Sequence, residues 1–180
     1  MFQKTILFFL IIILAVIQIS LLPNFFYRNI SPDVLLIAAV VWSAKNSFEK
    51  TWLLSIFSGL VLDFLSLTAV GANALTFLTA AFVAGFLARR FLTDQRALNF
   101  LLTAGLVVLG TLTSYFILAA TLLLPNYFHG QMPLFSAGGF FFKNLALKIS
   151  FNLILFPVIY WLAEKTKNFF ETSENKVFIK

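Results

Sequence analysis

Six runs of apolar residues, at about 5–22, 33–44, 51–67, 72–88, 98–124 and 145–163, dominate this sequence. Most hold about 17–25 residues, enough for a helix rising 1.5 Å per residue to cross a hydrocarbon core of about 30 Å. Only 11% of the 180 residues are charged. Soluble domains carry about 25%, so polar groups here are too few to cover a globular surface. The pattern predicts an all-α integral membrane protein with six transmembrane helices over 1–163 and a tail over 164–180.

The second run is the weak one. Between Pro32 and Lys45 it holds twelve residues, about 18 Å of helix. Such a span needs a thinned bilayer or cover from neighbouring helices. Turn signals bracket it: Pro23-Asn24 ends the first run, and Ser31-Pro32-Asp33 opens the second. Proline loses no needed donor at a helix start, Ser31 could cap the helix, and Asp33 suits its positive end.

Charge placement orients the spans. With a cytoplasmic N-terminus, the inner side receives Lys4, Lys45, Lys50, Arg89, Arg90, Arg96, Lys165, Lys167, Lys176 and Lys180, and the outer side Arg28 and Lys143. Ten against two is a strong positive-inside bias and places both termini in the cytoplasm. Omitting the second span would put Lys45 and Lys50 outside, so six spans fit better than five. The first run, preceded by Lys4 and followed by no small-residue cleavage pattern, reads as a retained span rather than a signal peptide.

The longest outer connection, 125–144, mixes Phe with Gly130, Gly138 and Gly139, a composition suited to the membrane interface. The tail from Glu164 alternates acids and bases and is expected to fray or to lie on the inner lipid surface. The net charge of +6 matters less than its placement, and no nucleic-acid partner is expected.

Catalytic chemistry has little to work with. There is no cysteine and one histidine, His129, so neither a nucleophilic dyad nor a multi-histidine metal site can form. No nucleophile elbow, phosphate-binding loop or zinc-protease pattern occurs. No enzyme activity, cofactor or metal is expected, and Arg89-Arg90 with Arg96 read as topology and lipid-headgroup contacts.

Asp63 is the exception within the apolar runs. A carboxylate at a helix centre costs about 2.5–3.5 kcal/mol on insertion scales, so it must face protein or water. The topology puts it in the outer half of the third span, level with Asp33, with Asn73 at the start of the fourth span, and with Lys148 in the sixth. This matching depth makes Lys148 a candidate partner for Asp63. The cluster could be a packing latch, a small-ligand or ion site, or a surface that recognises a membrane partner. Ser55 with Gly59, and Ala81 with Gly85, form small-xxx-small pairs on consecutive spans and predict a close helical hairpin. Gly71 is expected to supply the turn a backbone angle that larger residues resist.

Over about 45 residues the chain resembles the MreD family of bacterial rod shape-determining proteins. The residues that carry this are Pro32-Asp33-Val34-Leu35-Leu36, Gly59 to Asp63 with Phe64-Leu65-Ser66, and Gly71-Ala72-Asn73-Ala74-Leu75, with Gly85 and Arg89-Arg90 after them. Length, six spans and the short second helix agree, while Ser66-Leu67 stands where the family usually has Ser-Gly. The resemblance implies a non-enzymatic inner-membrane scaffold for cell elongation and lateral peptidoglycan synthesis. Its implied partner is an MreC-like bitopic protein, with MreB-like, transglycosylase and transpeptidase proteins nearby and lipids around it. It also implies a likeness to the S-components of energy-coupling-factor transporters, hence the alternative of a small-molecule-binding transporter subunit. The positions it marks as structural or partner-binding are Pro32, Asp33, Gly59, Asp63, Ser66, Gly71 and Asn73. Lys148 joins them from the charge argument.

Overall fold

Each apolar run becomes a helix, as a backbone in lipid must satisfy its own N–H and C=O groups. The computed structural model describes residues 2–26, 30–46, 48–66, 70–92, 95–128 and 138–177; for 2–7, 121–128, 138–141 and 167–177 it describes the backbone alone. The helices are α1 (Phe2–Ser20), α2 (Leu22–Phe25), α3 (Val34–Asn46), α4 (Phe48–Ser66), α5 (Ala72–Phe91), α6 (Arg96–Phe128) and α7 (Gly138–Val177). No strand occurs among the described residues.

Among the described residues, three helices are long and apolar enough to cross a membrane: Ala72–Phe91, Arg96–Ala120 and Phe142–Thr166. Phe8–Ser20 and Val34–Asn46 are shorter apolar helices, and α4 carries Glu49, Lys50 and Asp63. Large apolar side chains such as Phe9, Leu53, Phe64, Leu101, Phe116 and Ile154 face outward. An outer surface of this kind, on an all-helical chain, belongs in lipid.

The short helix α3 is the centre of the bundle. It packs against α1, α4, α5, α6 and α7. Around it α1 meets α4, α4 meets α5, α5 meets α6, and α6 meets α7. Val34, Leu35, Leu36, Ile37, Ala39, Val40, Val41 and Ser43 are all buried. These positions run round the whole helix, the pattern of a core helix rather than an amphipathic one. Neighbouring helices supply the cover that so short an apolar helix needs.

Close approach of backbones holds the ring. In lipid there is no hydrophobic drive between helices, so small residues and tight packing take its place. A Cβ added at Gly59 would collide with the backbone of Ala74, which makes Gly59 the contact point between α4 and α5. At Gly85 it would lie 2.8 Å from Ser43 Oγ and 3.0 Å from Phe48 Cβ, where α5 meets α3 and α4. Ser43 Oγ donates to the Ala81 carbonyl at 2.7 Å, joining the same faces. The expected hairpin of small residues is therefore present, and Gly85 also serves the central helix.

Two boundaries differ from the sequence reading. Helix α7 continues to Val177, so the segment after Glu164 extends the last helix through its described part. Helix α6 reaches Phe128 and α7 begins at Gly138, so much of the 125–144 connection is helical. The interfacial stretch 129–137, with His129 and Gly130, lies outside the described residues, as do Arg28 and Thr68.

Packing ranks the glycines. In detergent, Gly59→Ala should lower the unfolding midpoint markedly, since rigid backbone blocks the new methyl group. Gly85→Ala should lower it less, and Gly105→Ala, with nothing within 4 Å, should leave it nearly unchanged. A thermal series of the three variants checks the order.

Candidate functional site

Helix N-termini leave backbone N–H groups without partners inside the helix. In this bundle, the residues singled out by sequence sit at two such ends.

The first is the start of α5. Gly71 is its N-cap, with φ of 95°, a left-handed conformation that glycine adopts without strain. That turn brings the first N–H groups of α5 onto Asp63 at the end of α4. Asp63 is 1% exposed. Its carboxylate accepts from Gly71 N–H at 2.8 Å, Asn73 N–H at 3.0 Å, Asn73 Nδ2 at 2.8 Å and Ala74 N–H at 3.4 Å. A carboxylate placed at the first turn of a helix satisfies several of the N–H groups that the helix itself leaves without partners. Gly59 lies one turn before Asp63 on the same face of α4 and touches the same first turn of α5 at Ala74. The motif is thus one clasp: Gly59 lets α5 approach, Asp63 caps it, Gly71 aims its donors, and Asn73 adds a side-chain bond. Ser66 Oγ donates to the Leu62 carbonyl of its own helix at 2.6 Å.

The second cluster is at the start of α3. The Asp33 carbonyl accepts the first helical bond, from Ile37 N–H at 2.9 Å, and Pro32 before it is buried. The free donors of this turn are taken by other helices. Asp33 N–H donates to Asn152 Oδ1 on α7 at 2.8 Å, and Leu35 N–H to Gln18 Oε1 on α1 at 3.0 Å. The Asp33 carboxylate meets Lys148 Nζ of α7 at 2.7 Å and accepts from Gln18 Nε2 at 3.3 Å. Asn152 Nδ2 donates to Thr111 Oγ1 on α6 at 2.8 Å, and Thr111 Oγ1 to the Val107 carbonyl at 2.8 Å. Three helices, α1, α7 and through Asn152 also α6, are tied to one turn of α3.

Two expectations are corrected here. Lys148 pairs with Asp33, not with Asp63, whose carboxylate is taken by α5. The Asp33 donor, which a Ser31 cap would take, goes to Asn152 instead. The polar residues at this level also form two clusters with different partners rather than one. Gln18, Thr111 and Asn152 were missed by the sequence reading. Their signal was an amide or hydroxyl inside an apolar run, where a side chain that can hydrogen-bond across helices must find a partner.

Chemically, the arrangement joins helices. The Asp63 carboxylate accepts from four donors of the chain itself and that of Asp33 from two, Lys148 and Gln18, so both serve contacts within and between helices. Compared with known families, the chain matches the model described as rod shape-determining protein MreD over residues 1–166. No curated protein and no solved structure matches it.

The pairing is open to a double-mutant test. Lys148→Met should destabilise the protein in detergent by about 3 kcal/mol, the order expected when a buried charge loses its partner. Asp33→Asn combined with Lys148→Met should recover part of that loss. Asp63→Ala combined with Lys148→Met should show simple additivity.

Proposed function

Because this chain belongs to the MreD family of rod shape-determining proteins, we propose that it is a six-span scaffold of the bacterial inner membrane. It acts in the cell-elongation machinery that directs lateral peptidoglycan synthesis, with both termini in the cytoplasm. Its direct partner is an MreC-like bitopic protein, with MreB-like, transglycosylase and transpeptidase proteins in the same assembly.

One observation carries the scaffold reading: the buried Asp33 and Asp63 and the half-buried Lys148 are all engaged in bonds between the chain's own helices. A rigid bundle with its polar groups turned inward offers partners a fixed surface. The cation bias supports the orientation, since it places the starts of α3 and α5, and so both clusters, in the outer half of the membrane. The family role is cell shape rather than a known catalysis, in keeping with the scaffold reading.

Pull-down of the tagged full-length protein from membranes should recover an MreC-like bitopic protein. Recovery of an ATPase module in its place would favour a transporter subunit of the S-component kind and contradict the scaffold. Topology can be read separately, because the chain has no cysteine of its own. Single cysteines at Val70, Gly130 and Arg96 should be labelled from outside at the first two only.

A further inference from the structure

Helix α7 holds a proline in its interior, Pro157. Proline has no N–H to give the carbonyl four residues earlier, and its ring crowds that carbonyl. Here the carbonyl is that of Leu153. Leu153 and Pro157 both lie on the exposed face of α7, so the break faces away from the neighbouring helices. An interruption of this kind is where a helix bends.

The two halves of α7 are held differently. Before Pro157, Lys148 meets Asp33 at 2.7 Å. Asn152, fully buried, accepts from Asp33 N–H and donates to Thr111 Oγ1, both at 2.8 Å. After Pro157, Glu164 stands 3.9 Å from Lys45 Nζ, with its side chain 45% exposed. An ion pair so open to its surroundings contributes little. Lys45 also lies over the Tyr160 ring, which meets Phe100 of α6 edge-on. Ile159 and Ala163 join the apolar core, a contact without direction. The second half also has room beside it. An apolar groove runs along α3 between α1 and α7. The α7 residues that line it, Ile159, Leu162, Ala163 and Thr166, all come after Pro157, and Leu10 and Leu14 of α1 stand on its other side. Directed bonds thus end, and free space begins, at the proline.

We propose that Pro157 is a hinge. The half of α7 before it stays fixed to α3. The half after it, about 20 residues and about 30 Å long, swings across the groove toward α1. The swing separates Glu164 from Lys45 and narrows the space between α7 and α1. It concerns only the part of α7 beyond Asn152, so it is independent of the scaffold reading.

Pulsed electron paramagnetic resonance on the full-length protein in lipid nanodiscs tests this. Spin labels go on cysteines introduced in pairs, since the chain has none of its own. One pair, Lys165→Cys with Phe91→Cys, relates the second half of α7 to the end of α5. The other, Ala146→Cys with Val70→Cys, relates the first half to the turn before α5. All four positions are exposed. The first pair should give a broad or two-peaked distance distribution, and the second a single narrow peak. Pro157→Ala, which restores the missing hydrogen bond, should narrow the first distribution and leave the second unchanged. Glu164→Gln should raise the ratio of swung to docked populations about two- to fivefold, the worth of an exposed ion pair. A single narrow peak for the first pair in the parent protein overturns the proposal. Equal breadth in both pairs also overturns it, because the whole bundle would then be loose. So does breadth in the first pair that survives Pro157→Ala.

Discussion

Unsatisfied backbone donors at the first turns of α3 and α5 are the constraint on which the bundle depends. Most of these N–H groups are buried, and each one left unpaired away from water costs several kcal/mol. Soluble helices commonly solve this with a neighbouring Ser, Thr, Asp or Asn. Here the caps arrive from other helices: Asp63 of α4 for α5, and Gln18 of α1 with Asn152 of α7 for α3. Capping in this form fixes tertiary structure, because a helix that supplies the cap cannot leave without exposing the donors.

That logic explains how a thirteen-residue helix can stand at the centre of a membrane protein. Helix α3 is too short to meet both interfaces comfortably, but its sides need no lipid. Its start is held by α1 and α7, and its remaining length by Ser43 against α5 and by Val40 near Gly110 of α6. Lys148 allows Asp33 to keep a buried charge. A buried ion pair adds little net stability over an apolar pair but strongly penalises arrangements that separate its members. Its contribution here is the register of α7 on α3. The scaffold role proposed above asks for the same property, a bundle whose outer surface does not rearrange.

Much of this was legible in the sequence. Run lengths and scarce charge gave a helical membrane protein, and the spacing of Gly59, Asp63, Gly71 and Asn73 marked the α4–α5 clasp. The family resemblance rests on those residues. What stayed hidden were partners distant along the chain. Depth alone matched Lys148 with Asp63 as well as with Asp33, because a depth argument fixes height in the membrane but not the side of the bundle. Gln18 and Asn152 were overlooked for a related reason: a lone amide in an apolar run shows that a partner exists without saying which. The central place of α3 was half visible, since a helix apolar on every face and too short to span has to be covered.

Amide hydrogen exchange of the detergent-solubilised protein reads the central claim most directly. Gln18→Leu and Asn152→Leu each remove a cap from α3 while leaving α5 untouched. The account predicts faster exchange confined to the first turn of α3, at Asp33 and Leu35, with unchanged protection at Asn73 and Ala74. Protection at Asp33 and Leu35 equal to that of the parent protein in both variants would contradict it.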